Sequence, residues 1–392
     1  MSSDGVQLGC EVLCEAPPPW FYSQRIGLLT NQASVDRSFT HTSSLISHHG
    51  GRLTCLFSPQ HGFYGEKQAN MQESGDSRDS SLRIPIFSLY GAVREPTHEM
   101  LKKIDILLVD IQDVGTRVYT YSTTMGLCME AAARTGVKVV VLDRPNPIGG
   151  ELMEGNLLRM DHQSFVGRYP LPMRHGLTMA ELARCIVERC DIACDLEVVP
   201  MRGWRRKDYF SDTNLAWIFP SPNMPTWETA LLYPGAVLLE GTNISEGRGT
   251  TLPFQLFGAP FIDTRRLAEY LENAGLEGVL FRPICFEPVF DKWAGRTCYG
   301  FQIHVTDRKT FRPYRTGLAL LQALHHAHRN DFEWLPPPYE YEWTKRPIDI
   351  LLGDGTLRER VENGDDFSRL EMSWADELEE YRERSASWFL YQ

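Results

Sequence analysis

The sequence predicts an α/β fold, with a Rossmann-like, mostly parallel sheet and a second, smaller α/β (α+β) domain. Three observations support this prediction. Short and almost continuously apolar runs alternate with helix-compatible segments in the first part of the 392-residue chain, as in parallel sheets covered on both faces. Polar residues follow several of these runs. Beyond residue 252 the pattern changes to helices and longer strands, so we predict domains at 1–252 and 253–392.

Alternating strands and helices fill the first 143 residues. The apolar runs predict buried strands over 24–32, 53–57, 104–110 and 137–143, and a short strand with a loop over 84–91. Helix-compatible segments lie between them, over 38–49, 96–103 and 122–135. The last of these helices stops at Gly136, a residue that commonly ends helices.

The remaining elements are predicted from local signals. Thr178 and Glu181 form a capping-box pattern that opens a helix through Arg189. The apolar run 236–239 predicts a strand that leads into a polar loop. Further strands are predicted over 196–199, 279–286 and 300–305, and further helices over 264–275, 314–328 and 373–384.

Composition limits the classes of function. The formal net charge of −11 argues against nucleic acids and anionic membranes as partners, because phosphate surfaces recruit an excess of Lys and Arg. No apolar run approaches the roughly 18 residues of a membrane span, and no signal peptide is visible at the N-terminus. The nine cysteines contain no CxxC pair, which favours free thiols in a reducing compartment. We therefore expect a cytoplasmic enzyme.

Polar segments follow four predicted strands, at 30–32, 60–61, 110–121 and 143–146. The carboxyl ends of parallel strands share one edge of a sheet, where ligands bind in open α/β folds. These side chains are therefore expected to converge on one crevice. No G-x-G-x-x-G follows the first strand and no HExxH-like spacing is present, so we predict neither a dinucleotide cofactor nor a metal. The sequence also lacks the G-x-S-x-G of serine hydrolases.

The polar loop at 240–251 holds two acids and an arginine among glycines and small residues. If Glu240 and Glu246 lie close together, their repulsion raises one pKa and makes that acid a proton donor near neutral pH. Glycosidases use such a carboxyl pair. In the alternative interpretation, Glu240 caps backbone amides and Glu246 pairs with Arg248. Asp113 belongs to a second acidic group, after the strand at 104–110.

Five segments, in this order, resemble the exo-β-N-acetylmuramidase (NamZ-type) glycoside hydrolases: SPQHGFYG at 58–65, DIQDVGTRVYTY at 110–121, VLDRPNP at 141–147, PSPNMP at 220–225 and EGTNISEGRGTT at 240–251. The resemblance covers nearly the whole chain. It implies a Rossmann-like domain joined to a smaller α/β domain, with a cleft between them. It also implies release of N-acetylmuramic acid from the non-reducing end of peptidoglycan fragments, so the expected partner is a muropeptide or muramyl disaccharide.

For that reaction we predict Glu246 and Glu240 as the proton-transfer pair, with Asp113 as the alternative base. The lactyl carboxylate of the sugar needs an arginine such as Arg248, Arg117 or Arg144, since the planar fork of arginine binds a carboxylate with two hydrogen bonds. The aromatic side chains of Trp204, Tyr119, Tyr121 and Tyr233 are candidates for stacking on a sugar face, although core packing is commoner. The predicted substrate-binding residues are Gln60, His61, Asp110, Arg117, Tyr119, Arg144, Asn146, Asn223, Thr242, Asn243 and Arg248.

One departure from the family pattern concerns Gln60, where the family usually has Glu. An amide cannot transfer a proton, so an alternative hypothesis is a sugar-binding protein with weakened or lost hydrolysis. A nucleotide-dependent oxidoreductase is disfavoured by the missing phosphate loop. Peptidoglycan lies outside the cytoplasm, so a cytoplasmic enzyme would act on imported fragments or on another sugar.

Overall fold

The computed structural model describes residues 5–68 and 71–392. The strands β1 to β12 lie, in chain order, at Ile26–Leu29, Leu53–Ser58, Ser77–Arg78, Pro85–Ser88, Ile106–Val109, Lys138–Leu142, Glu154–Leu157, Pro172–Arg174, Leu196–Val199, Leu256–Ala259, Val279–Phe286 and Cys298–Val305.

The helices α1 to α13 lie at Gly9–Glu15, Trp20–Ser23, Thr42–His48, His98–Leu101, Thr120–Thr135, Met179–Arg189, Trp227–Ala236, Thr264–Glu272, Pro313–Ala327, Pro347–Leu352, Leu357–Asn363, Phe367–Met372 and Ala375–Ser385. Short 3-10 helices lie at Met160–His162, Phe210–Asp212 and Val237–Gly241. Within the described ranges, no helix combines the length and apolar character needed to cross a bilayer.

The large sheet has seven strands in the order β3-β4-β2-β1-β5-β6-β9. Every neighbouring pair is parallel except β3 and β4. If the six parallel strands are numbered along the chain, their order across the sheet is 3-2-1-4-5-6, the order of the Rossmann fold. The predicted fold class is therefore confirmed, and the order reverses between β1 and β5, where ligand crevices form.

Both faces of the central strands β1, β5 and β6 are buried, which explains why these strands have continuous apolar runs. In β5, Leu107 and Val109 pack into the larger hydrophobic cluster, which also contains side chains of α5 and α6. Ile106 and Leu108 face the opposite cluster, with side chains of α1 and α3. Successive residues of a strand point to opposite faces, so in a strand that is covered on both sides every side chain is buried and apolar residues are favoured at every position.

The smaller sheet is antiparallel, with the order β10-β12-β11. The larger hydrophobic cluster continues into it through Phe257 and Phe301. The two halves of the chain also meet where α7 crosses α9. A Cβ on Gly235 would lie 1.9 Å from the carbonyl oxygen of Pro313, so this close crossing requires glycine. The second sheet begins at Leu256; the domain boundary at 252 stays a prediction.

The prediction of a strand over 236–239 is wrong. The helix α7 ends at Ala236 and continues as the 3-10 helix Val237–Gly241. Leu238 and Leu239 are completely or almost completely buried, and a short apolar run without a polar face does not distinguish a strand from a buried helix.

Other predicted elements are observed with shifts of a few residues at their ends. The capping box at Thr178 and Glu181 is present, and the strand at 196–199 has the predicted bounds. The β7–β8 hairpin and the helices α10 to α12 were not predicted. In β7, Gly155 and Asn156 are poor strand formers, and the three helices are only six or seven residues long.

Candidate active site

A cavity lies past the carboxyl ends of β2 and β5, between the large sheet and the C-terminal part of the chain. Its walls come from loops after both strands, from the start of α5, from the segment before α7, and from two later segments. The lining residues are Gln60, His61, Val118, Tyr119, Thr120, Val166, Ser221, Asn223, Met224, Tyr233, Glu240, Arg248, Phe254, Tyr339 and Glu340. The predicted convergence of strand-end loops on one crevice is therefore observed for the loops at 60–61 and 118–120.

Arg248 joins the two acids of the polar loop. Its Nη2 lies 2.7 Å from Oε1 of Glu240, and its Nε lies 3.1 Å from Oε1 of Glu246. Gly247 and Gly249 have φ values of 81° and 77°, a conformation that glycine adopts without steric cost. Burial acts to lower the pKa of Arg248, but the two carboxylates raise it overall. The guanidinium therefore remains charged inside the protein.

Glu240 is the predicted catalytic acid that lines the cavity. Its Oε1 binds Arg248, and its Oε2 accepts a hydrogen bond from the Tyr339 hydroxyl. Both oxygens are thus held by donors from different parts of the chain. This fixes the carboxylate at the cavity wall, and the adjacent guanidinium stabilises its negative charge.

Neither Glu246 nor Asp113 is among the residues that line the cavity. Lys292 Nζ lies 2.9 Å from Oε2 of Glu246, and the other oxygen of Glu246, Oε1, pairs with Arg248. Asp113 Oδ2 accepts hydrogen bonds from the Gly115 amide at 2.6 Å and from His175 Nε2 at 3.1 Å. The pairing of Glu246 with Arg248 is the alternative that the sequence left open.

A further acid, Glu340, reaches the cavity from the C-terminal segment, and sequence reasoning missed it. Its Oε1 accepts a hydrogen bond from Gln60 Nε2 at 3.2 Å, and its Oε2 accepts one from the Tyr90 hydroxyl at 2.6 Å. Burial raises the pKa of Glu340, and the charge of Glu240 acts in the same direction. A possible signal was the alternation of Tyr and Glu at 339–342 after three prolines.

His61 is a buried, neutral side chain beside these acids. Its Nδ1 donates to the Lys67 carbonyl at 2.7 Å, so Nε2 carries the lone pair. Burial lowers the pKa of His61 to about 4. The ring can therefore accept a hydrogen bond from a sugar hydroxyl at neutral pH.

Aromatic rings form much of the cavity lining. Tyr119 and Tyr233 make an edge-to-face pair with centroids 6.0 Å apart, and Tyr233 packs in the same manner on Phe254 at 4.9 Å. Burial raises the pKa of Tyr119 and of Tyr233, so both phenols are neutral. Asn223 contributes an amide, whose Nδ2 donates to the Gln68 carbonyl at 3.2 Å. These groups offer ring faces and neutral polar atoms, as sugars require.

The structure places two predicted arginines in other networks. Arg117 is fully buried, and its guanidinium donates to the backbone carbonyls of Asn156, Leu171, Leu351 and Leu352. Arg144 forms a buried ion pair with Asp110, with Nη2 and Oδ2 3.0 Å apart. The Thr42 hydroxyl also donates to Asp110. These side chains hold strand ends and segments together and do not line the cavity.

Three further predicted residues stabilise the surrounding loops. Asn146 donates to the Leu177 carbonyl at 3.0 Å. Thr242 donates to the Leu239 carbonyl, and Asn243 donates to the carbonyl of Asp331. None of the three lines the cavity. Within residues 5–68 and 71–392, no group of three or more His, Cys, Asp or Glu side chains is placed to hold a metal ion.

Comparisons with known proteins give one family for both halves of the chain. Residues 26–228 match the family domain described as "Exo-beta-N-acetylmuramidase NamZ, N-terminal", and residues 231–391 match the corresponding C-terminal domain. The chain is 43% identical over 387 residues to the peptidoglycan beta-N-acetylmuramidase NamZ of Bacillus subtilis (strain 168), covering 98% of this chain and 91% of that protein.

Two crystal structures of DUF1343 family proteins from Bacteroides fragilis NCTC 9343 have a similar fold. One superimposes with a TM-score of 0.88 at 34% sequence identity, and the other with a TM-score of 0.79 at 28% identity. Each comparison covers 99% of both chains. The similarity therefore extends over the whole architecture.

Proposed function

The chain belongs to the exo-β-N-acetylmuramidase NamZ family, and from this premise we propose that it hydrolyses peptidoglycan fragments and releases N-acetylmuramic acid from their non-reducing end. The Bacillus subtilis relative, 43% identical, is named as a peptidoglycan beta-N-acetylmuramidase. The observation that carries the proposal is the cavity in which Arg248 and Tyr339 hold the Glu240 carboxylate at the wall. The binding-only alternative is not favoured, because this relative is named for an enzymatic activity.

Glu240 is proposed to act on the anomeric carbon. Cleavage of a glycosidic bond passes through a transition state with positive charge on the sugar ring, and a carboxylate beside that ring stabilises it. Glu240 has the position for this role, because it is fixed by two donors and faces the cavity. Glu246 and Asp113 are proposed as positioning residues, Glu246 through Arg248 and Asp113 through the loop at Gly115.

Binding of the sugar is proposed to involve the uncharged walls of the cavity. His61 Nε2 accepts from a hydroxyl, Asn223 contacts the acetamido group, and the rings of Tyr119 and Tyr233 cover an apolar face. Arg248 is the cation among the described lining residues, so it is proposed to attract the lactyl carboxylate. All these groups belong to the N-acetylmuramic acid unit, so any β-N-acetylmuramide with a free non-reducing end is a proposed substrate, and a muramyl disaccharide is the proposed natural one.

The cytoplasm is the proposed place of action. All nine cysteines are free thiols in the structure, and free thiols persist in reducing compartments. The substrate would then be a fragment taken up by the cell.

The proposal is tested with a β-linked N-acetylmuramyl-N-acetylglucosamine disaccharide and with a chromogenic aryl β-N-acetylmuramide. We expect release of N-acetylmuramic acid from both, measured by mass spectrometry and absorbance. Diacetylchitobiose, which lacks the lactyl group, is the matched control and is expected to be cleaved much more slowly. Folded protein that turns over neither muramide between about pH 5 and 8 would overturn the proposal.

A further inference from the structure

We propose that Glu340 is the proton donor of this reaction, placed in the cavity by a tight turn at 339–342. The inference rests on the proposed function, since it names the group that protonates the departing sugar oxygen. Gln60 cannot do so, because an amide does not titrate in the physiological range. Glu340, which accepts the hydrogen bond of that amide, adds a carboxylic acid at the same place.

The hydrogen bonds around Glu340 define its orientation. The Thr120 hydroxyl donates to Gln60 Oε1 at 2.6 Å, so the Nε2 side of this amide is directed to Glu340. The Tyr90 hydroxyl donates to the other oxygen of Glu340. Each carboxyl oxygen has two lone pairs, so these two donors leave a position for a proton. The side chain is 2% exposed and belongs to the lining of the cavity.

The backbone of the turn supports a functional role for this position. Tyr339 and Glu342 exchange two backbone hydrogen bonds of 2.9 Å, and the two residues between them have positive φ, 44° at Glu340 and 66° at Tyr341. Two-residue turns of this kind favour Asn and Gly. Glutamate and tyrosine here carry a conformational cost, and such costs concentrate at functional sites.

Glu240 and Glu340 have different electrostatic surroundings. Glu240 is paired with the Arg248 guanidinium, whereas Gln60 and Tyr90, the donors to Glu340, are uncharged. Burial and the negative charge of Glu240 both favour the protonated form of Glu340. Two carboxyl groups in such contrasting environments are the usual arrangement of an acid and its charged partner in glycosidases.

The titratable and charged side chains that face Glu340, or that stand directly behind its partners, are Tyr90, Arg94, His61, Glu240, Arg248, Tyr339 and Tyr341. Burial lowers the pKa of His61 to about 4 and raises the pKa of Tyr90, Tyr339 and Tyr341. His61 and these three tyrosines therefore do not change charge between about pH 5 and 9. A basic limb in the pH profile of kcat/KM that disappears in Glu340→Gln would belong to Glu340.

In the proposed step, the proton of Glu340 moves to the glycosidic oxygen while the bond from that oxygen to the anomeric carbon breaks. The bonding electron pair stays on the oxygen, which leaves as a hydroxyl group. Water supplies the hydroxyl that ends on the anomeric carbon. The proton that this water loses returns through solvent to restore the acid form of Glu340.

The test compares Glu340→Gln with wild type on two substrates. On the disaccharide, whose leaving group needs a proton, we expect kcat/KM to fall by about 10²–10⁴-fold. On 2,4-dinitrophenyl β-N-acetylmuramide, whose leaving group departs unprotonated, we expect a much smaller fall, and the basic limb of the profile should disappear. Glu333→Gln, at an exposed position on the preceding segment, is the matched control and should behave as wild type.

Two further variants extend the test, one as a control for folding and one as a test of the pKa of Glu340. Glu340→Asn removes the acid but suits a positive φ, so it should fold normally and show the same difference between the substrates. Tyr90→Phe removes a hydrogen bond that lowers the pKa of Glu340, so the basic limb should move to higher pH.

Two results would overturn the inference. The first is that Glu340→Asn loses the same factor in kcat/KM on both substrates while it still binds N-acetylmuramic acid normally in calorimetry. The second is that Glu340→Gln has the same pH profile of kcat/KM as wild type. Inactivity of wild type on both substrates would instead refute the proposed function itself, so the two failures are distinguishable.

Discussion

The guanidinium of Arg248 lies between Glu240 and Glu246, 2.7 Å from one carboxylate and 3.1 Å from the other. The side chain of Arg248 is 8% exposed, and those of Glu240 and Glu246 are 6% and 2% exposed. One cation therefore compensates two buried anions, with Lys292 assisting at Glu246. The position of the proposed catalytic carboxylate depends on this arrangement.

Replacing Arg248 with lysine is expected to reduce both stability and activity. A single ammonium cannot bind two carboxylates with the geometry of a guanidinium, so one buried anion loses its partner. Breaking a buried ion pair costs about 3–5 kcal/mol, and we expect a decrease toward the lower end of that range. Urea unfolding and kcat/KM on the disaccharide are the measurements. A variant with wild-type stability and activity would contradict the bridging role.

The two acids bound by Arg248 are expected to differ in their effect on catalysis. Glu240→Gln should reduce kcat by roughly 10²–10³-fold, the magnitude found when one electrostatic contact of a transition state is removed. Glu246 is not part of the cavity lining, so Glu246→Gln should chiefly reduce the free energy of unfolding. Steady-state kinetics and thermal unfolding of the matched pair distinguish these effects. The opposite ranking would restore Glu246 as the principal catalytic acid.

Arg117→Lys is expected to destabilise the protein without a direct effect on catalysis. The guanidinium binds four backbone carbonyls, two of them on the distant segment at 351–352. Lysine has three donors on a single nitrogen, so at least one buried carbonyl loses its partner. Since hydrogen bonds to charged groups contribute about 1.5–3 kcal/mol each, we expect a loss of ~2–3 kcal/mol in the free energy of unfolding.

The readout for Arg117 separates two roles. Kinetic constants measured well below the unfolding transition should match those of wild type. An increased KM for muramides, with unchanged stability, would instead support the role predicted from sequence, in which Arg117 binds the lactyl carboxylate.

The sequence predicted the centre of the large sheet well because β1, β5 and β6 are buried on both faces and therefore have unmistakable apolar runs. It also identified several of the cavity residues, since Gln60, His61 and Tyr119 follow strand ends and parallel strands share an edge. Arg117 and Arg144 have the same sequence signal, yet their side chains turn to backbone carbonyls and to Asp110. Which polar residue of a strand-end loop faces the ligand depends on tertiary packing.

Glu340 was missed for a related reason. Its partners Gln60 and Tyr90 lie 280 and 250 residues earlier in the chain, so no local pattern connects them. The prediction of a strand over 236–239 was wrong because a fully buried 3-10 helix and a fully buried strand are equally apolar, so the spacing of apolar residues does not distinguish them. Long-range contacts and buried helices are thus the features that one sequence does not reveal.

His61 is expected to make stability depend on pH, independently of catalysis. Burial lowers its pKa in the folded protein to about 4, against roughly 6.5 in the unfolded chain. Above pH 6.5 the ring is neutral in both states, so its contribution is fully present. As pH falls from about 6.5 to 4, the unfolded chain binds a proton that the folded protein does not. Folding therefore weakens by about 1.4 kcal/mol per pH unit.

His61→Asn is the variant that isolates this effect. Asparagine tolerates the positive φ of 75° at this position, and its amide can donate to the Lys67 carbonyl that Nδ1 now contacts. Burial also lowers the pKa of His41 and His328, but both remain in the variant, so the difference between the two proteins reports His61. Urea unfolding at pH 7 and pH 4.5 should show wild type losing about 2–3 kcal/mol more than the variant. If the free energy of unfolding depended on pH in the same way in both proteins, His61 would take up its proton as readily in the folded protein as in the unfolded chain. That result would contradict the lowering of its pKa by burial beside Arg248.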